Sequence, residues 1–342
     1  SNNNTIMRNN ILFAFVLMAM LCSSLGIKAQ SDATMAILQT GDEVKVFNGV
    51  DALKNAYNEA AATGSTITLS EGIFNSPGNI KKAVDIYGVG FEGDAQNGVN
   101  QPTVINSAIS FLTGSDEQSL KNFKIEGVYI KGAINIQQTS ELLINKCRFI
   151  NLYFNGNNAQ SITIKQSVIE KSIEGSNEIR GLDIENCYIG YRFLASHPDN
   201  QVLFNHCILP TGSEGGHAKA TYTNCIFNGL YRAGIAANSV VKNCILKDIS
   251  VSDCMTENNW TTNGVDIFDD GGYPENYYGC FYDSNRTYKL KDPETYVGTD
   301  GTEVGICGGL GWKKVVTTPV VKDLQLSVSG KTLKVNYEAK TR

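Results

Sequence analysis

The chain has 342 residues, 42% of them hydrophobic and 18% charged, and a net charge of −5. That balance can furnish a long core and excludes a disordered chain. The 29 basic residues are scattered through the chain, which excludes the basic stripe of a nucleic-acid-binding surface.

Arg8 precedes an apolar run of eleven residues, 11–21, and the small residues Ser23, Ser24, Gly26 and Ala29 follow it. This pattern predicts a leader and signal peptide over 1–29, cut after Ala29, with Met7 as the natural start. A membrane span needs about 20 apolar residues. The mature chain is therefore expected to be secreted, periplasmic or at the cell surface, without a membrane span. Within 51–62, Leu53, Ala56, Tyr57 and Ala60 share one face of an amphipathic helix, and Gly64 is its expected stop. Such a helix would cover the exposed end of a strand stack, as terminal repeats require.

Residues 66–69 alternate as a strand, and further strands are predicted at 83–87, 103–105, 120–130, 142–149, 162–169, 182–189, 202–209, 220–227 and 240–246. Several of them carry one phrase. Cys147, Cys187, Cys207, Cys225 and Cys244 recur in Asn-Lys-Cys-Arg-Phe, Glu-Asn-Cys-Tyr-Ile, Asn-His-Cys-Ile-Leu, Thr-Asn-Cys-Ile-Phe and Lys-Asn-Cys-Ile-Leu. Ser167 and Val128 complete the series, with steps of 19, 20, 20, 20, 18 and 19 residues. A fixed period of this length marks a solenoid whose turns bury their apolar faces against one another.

Within each repeat, two alternating strands meet at a bend. Asn tolerates positive φ, so Asn186, Asn224 and Asn243 are read as the bends, with His206 in the same position. The following cysteine fills a small inner corner. Strands in one sheet lie about 4.8 Å apart, longer than the Cβ separation of about 3.8 Å that a disulfide prefers, so the ladder is expected to be buried free thiols. Cys254, Cys280 and Cys307 lie outside it, and one bridge among them is allowed. Past residue 250 the period breaks into loops rich in Asn, Asp, Gly and Tyr. Two strands around 324–328 and 333–337, turning at Ser329-Gly330, then predict a hairpin within 319–342. It either caps the C-terminal end of the stack or begins a truncated β-sandwich.

The Ile-x-Asn-Cys-x-Ile phrases, together with the helix at 51–62 and the strand after it, resemble the pectate-lyase-like superfamily over residues 45–310. The resemblance implies an all-β fold: a right-handed, single-stranded parallel β-helix of about nine or ten coils over 30–312, with an N-terminal helix cap. It leaves activity open, because a shared fold does not carry a shared function. The lyase and hydrolase motifs are missing, and an Asp-Asp pair stands at Asp269-Asp270, after the regular coils. No catalytic residue carries over.

Candidates then rest on residue type. Asp266, Asp269 and Asp270 cluster near glycines and could hold Ca²⁺ or act as catalytic acids. Arg180, Arg192 and Arg232 could line up to face acidic sugars, and with the three aspartates they are the candidates for a catalytic role. Tyr188, Tyr191, Tyr222, Tyr231 and Trp260 could form an outward aromatic row for stacking on sugar rings, or could pack beneath covering loops. His197, His206 and His217 carry no mark of a general base. The expected function is carbohydrate binding or a cell-surface role along the solenoid side, by a monomer whose partner is a polysaccharide or other glycan. The alternatives are a polysaccharide lyase or glycoside hydrolase with a non-standard site, and a structural adhesin.

Overall fold

Alternating apolar and polar residues favour extended chain, and here short strands wind the repeats into a parallel β-solenoid. The computed structural model describes residues 34–95, 99–112, 120–156, 159–211, 217–262, 266–271, 282–314, 316, 320–329 and 332–340. The expected signal peptide and Cys280 lie outside the described residues. Among the described residues, no helix is long and apolar enough to cross a membrane.

Among the described residues, the first sheet has twelve strands. Ten are parallel, from β3 (Thr63–Leu69) to β27 (Met255–Glu257), and β1 (Met35–Thr40) and β2 (Glu43–Asn48) form an antiparallel pair at one edge. The second sheet has ten strands, from β4 (Gly72–Phe74) to β28 (Trp260–Thr261). The third has six, from β5 (Asn79–Ile80) to β20 (Phe193–Ala195). These third strands are two or three residues long, too short for alternation to show, so the sequence indicates only two strands per repeat. The solenoid has about 8 turns, against the nine or ten expected, and the third sheet accompanies only the first six rungs.

Rungs stack like on like. Ile125, Ile144, Ile164, Ile184, Phe204 and Tyr222 form one inward column, each at most 1% exposed. Burying a side chain of this size contributes about 1.5–3 kcal/mol. The columns hold the rungs in register, because a one-residue slip would turn every inward side chain outward.

The bends are left-handed throughout. Gly127, Lys146, Gln166, Asn186, His206, Asn224, Asn243 and Asn258 all have φ between 46° and 71°. The corner residues after them, from Val128 through Cys244, are fully buried. The cysteines are free, and they donate. Cys187 Sγ lies 3.2 Å from Glu185 O and 3.6 Å from Ile164 O; Cys147, Cys207 and Cys244 repeat the pattern. Ser167 Oγ donates to Lys165 O at 2.6 Å and accepts from Cys147 N at 3.0 Å. The corner donor therefore adds a second hydrogen bond to carbonyls that already accept Lys146 N or Gln166 N at 3.0 Å, and the Ser167 hydroxyl also gives the Cys147 amide its acceptor. The series also runs one rung further than the sequence suggests. Asn259 fills the last corner and accepts from Cys244 N at 2.8 Å, so part of the stretch beyond 250 is a rung, not loop.

A second bend, which the sequence reading lacks, interrupts strands of the first sheet. Gly64, Asn122, Glu141, Ser161 and Gly181 all have positive φ there. Gly64 thus belongs to a strand bulge and does not end the helix. Helix α1 (Ala52–Glu59) ends earlier, at the extended Ala60. Lys82 Nζ donates to the carbonyls of Tyr57, Asn58 and Ala60 at 2.7–3.1 Å, a cation on the negative end of the helix. Leu53, Ala56 and Tyr57 are buried, closing the N-terminal end of the core as expected. At the other end of the chain, β29 (Val320–Ser329) and β30 (Thr332–Lys340) form the expected hairpin, longer than the sequence indicates.

Candidate functional site

An apolar column on the outside of a sheet has to be covered or used. The outward column of the second sheet runs Tyr129, Arg148, Val168, Tyr188, Ile208, Ile226, Ile245 and Trp260. It is covered by Phe268, Tyr282, Tyr288, Leu290, Val304 and Ile306, which build a second apolar core outside the solenoid. The covering chain is a strap that runs back along the bend column, opposite to the rung order. Asn243 Nδ2 donates to Val297 O at 3.1 Å, and Asn186 Nδ2 donates to Ile306 O at 2.9 Å and Gly308 O at 2.7 Å. Gln166 Nε2 donates to Gly311 O at 2.7 Å. Asn224 Oδ1 accepts from Thr299 N at 2.8 Å, while buried His206 meets Asp300 Oδ2 at 3.1 Å through Nε2. A Cβ at Gly308 would overlap Glu303 O and the His206 ring. The bend amides therefore do two jobs: they allow the turn and they hold the strap.

The strap decides the fate of the aromatic candidates. Tyr188 does point away from the solenoid, but it is fully buried, 5.6 Å from the Tyr282 ring and 5.5 Å from Tyr288. Tyr222 points into the core and stacks on Phe204 at 5.1 Å. Trp260 is half-buried against Tyr296 at 5.6 Å. Neither Tyr188 nor Tyr222 can stack on a sugar. Tyr191 is half-buried, with the Arg192 guanidinium 4.8 Å over its ring. The side chains of Tyr231 and Arg232 lie outside those described.

The charged candidates are engaged elsewhere or apart. Arg180 sits on the first sheet, paired with Glu178 at 2.6 Å, and Arg192 lies on the turn before the third sheet. Those two do not share a face. Asp270 accepts from Arg286 Nη2 at 2.9 Å and Thr287 N at 2.7 Å; Asp269 accepts from Thr287 Oγ1 at 2.7 Å, and Asp266 pairs with Lys291 at 3.1 Å. Burial works to raise the Asp270 carboxyl, but Arg286 and Thr287 outweigh it and hold it below its ordinary value. The three carboxylates tie the loop before the strap to the strap itself. Among the described residues, no group of three His, Cys, Asp or Glu side chains is placed to hold a metal. His217 is buried, and burial depresses its pKa to about 3, so it stays neutral in the core. Cys254 and Cys307, partly buried, are both free.

Two faces remain open. The first sheet carries a shallow depression of about 540 Å³ that includes Asp183, Leu203 and Lys219, of mixed charge. The third sheet carries an open groove of about 620 Å³ whose floor includes Tyr153, Asn155, Glu174, Leu194 and Ser196. Its outward column runs Ser110, Asn135, Tyr153, Glu174 and Leu194, one residue per rung on successive strands from β8 (Ile109–Phe111) to β20. Asn155 Nδ2 donates to Asn135 Oδ1 at 3.2 Å, and Asn135 Nδ2 to Ser110 Oγ at 3.1 Å, so the amides are fixed in one orientation. None of the sequence-predicted candidates whose side chains are described lines this groove. The signal was the middle residue of Leu152-Tyr153-Phe154, a polar-tipped aromatic between two buried neighbours.

Fold and faces together define a parallel β-solenoid with one side strapped and two sides open. Compared with protein-family models, curated proteins and solved structures, the chain matches none.

Proposed function

We propose that this is an exported glycan-binding β-solenoid, allied to the pectate-lyase-like superfamily, which takes carbohydrate along its third sheet. The observation that carries the reading is the groove floored by Tyr153 with Asn155, Glu174 and Ser196 around it. A sugar ring presents an apolar face edged by hydroxyls, and Tyr offers a matching ring with a polar tip. Rungs about 4.8 Å apart set polar side chains on either side of Tyr153 along the groove, Asn135 and Glu174 among them, which suits an extended chain of sugars better than a compact ligand. Export follows from the predicted signal peptide over 1–29.

The test is binding of the purified chain to a panel of soluble polysaccharides by affinity electrophoresis, with Tyr153→Ala beside wild type. Retardation by at least one polysaccharide, weakened about tenfold in Tyr153→Ala, is the expected result. An unretarded wild-type chain across a broad panel would remove the reading. Release of unsaturated or reducing sugar ends would replace it with the lyase or hydrolase alternative.

A further inference from the structure

We infer that the third-sheet groove selects glycans bearing free amino groups, such as partly deacetylated hexosamine chains, over neutral and acidic ones; this rests on the glycan reading above. Glu174 supplies the argument. It lies on β17 (Ile173–Gly175), directly opposite Tyr153 of β14 (Leu152–Phe154) on the neighbouring rung, and both are half-buried in the groove floor. Three carboxylates of the middle rungs have a cation: Glu170 has Arg148 at 2.7 Å, Glu185 has Lys165 at 2.9 Å and Glu178 has Arg180 at 2.6 Å. Glu174 has neither an ion pair nor a hydrogen bond among the described residues, and no Lys or Arg among the described side chains lines the groove.

A lone carboxylate one rung from an aromatic ring is a fitting pair for a protonated primary amine. The carboxylate accepts a charge-assisted hydrogen bond, and the ring face attracts the same cation. A uronate would instead bring a second negative charge against Glu174, on a chain whose net charge is already −5. An N-acetylated sugar would offer no cation and would leave the carboxylate to give up water without a charged partner. The neighbouring Asn135 and Asn155 amides are tied to each other and would serve hydroxyls at the groove edge.

The experiment titrates the full chain with three hexasaccharides, of glucosamine, N-acetylglucosamine and galacturonate, below the pKa of the amine. Wild type, Glu174→Gln, Tyr153→Ala and Glu257→Gln are compared. Glu257 sits on the exposed last strand of the first sheet beside Lys242, so its variant reports general charge attraction. The expected result is that the glucosamine oligomer binds best. Its affinity should fall about tenfold or more in Glu174→Gln and by less than about twofold in Glu257→Gln. Tighter binding of the acetylated or the acidic oligomer, still dependent on Tyr153, would overturn the amine preference and leave glycan binding standing. Equal losses in the two Glu variants would overturn it as well, by reducing it to bulk charge. If no oligosaccharide or polysaccharide binds, both readings fail together.

Discussion

Ser167 and its cysteine neighbours show what a corner of this solenoid asks of one residue. The space is small and fully buried, which would suit Val or Ala. The Cys147 amide, however, takes the Ser167 hydroxyl of the next rung as its acceptor, and a buried unpaired group costs about 1–3 kcal/mol. A thiol or hydroxyl repairs this locally. Burial pushes the Cys147 thiol up to about 12, so the proton needed for donation stays in place. Cys207→Ser keeps both size and donor and is expected to change stability by less than about 1.5 kcal/mol. Ser167→Val keeps only size. It leaves Cys147 N without its acceptor and takes away one of the two donors to Lys165 O, which keeps Lys146 N at 3.0 Å, and is expected to cost about 1–3 kcal/mol. Urea-unfolding midpoints rank the two, and the reverse order would show that corner volume matters more than donation.

At the scale of the element, the bend residue is where two requirements meet. Asn186 adopts φ 50° and also donates two hydrogen bonds to the strap. Substitutions separate these roles. Asn186→Gly keeps the conformation and loses the strap contacts; Asn186→Ala loses both, with a further penalty of about 1–2 kcal/mol for a Cβ in the left-handed region. Ala should therefore be the less stable variant by thermal or urea unfolding. Both should show equally faster proteolytic cleavage within the strap. Were Gly to protect the strap as wild type does, Asn186 would be a turn residue alone. The same logic explains Gln166, a poor candidate for positive φ by type. Gln166 reaches Gly311 O, and the strap contact outweighs the local strain.

For the molecule as a whole, the strap turns a one-core solenoid into a two-core protein. It covers Val168, Tyr188, Ile208, Ile226 and Ile245, which would otherwise form a continuous apolar stripe. It ends at Val316 beside Gly127, an early rung, so the chain comes back toward the end where it began before the hairpin starts. Gly308→Val would force a side chain into Glu303 O and His206. Displacement of the strap should then appear as increased binding of an apolar dye to an otherwise folded chain, with the far-ultraviolet circular dichroism of the sheets retained. Unchanged dye binding would mean that the strap yields locally and keeps its seat.

The sequence by itself determined the solenoid. Its period, alternation and Asn-Cys phrases are local requirements of strand and bend, repeated every rung, so each appears in a short stretch of chain. The free thiol ladder and the helical cap are legible for the same reason. The third strands escaped because two or three residues cannot alternate visibly, and the final rung escaped because Asn259 replaces the cysteine. Only the tertiary structure decided which outward residues meet solvent. Tyr188 and Tyr153 occupy equivalent outward positions on their strands, yet one lies under a strap from more than 90 residues later and the other on an open groove floor. Burial from a distant segment leaves no periodic mark near the residue it covers. The aromatic and acidic candidates were therefore visible by type, while which face stays open was fixed by where the chain returned.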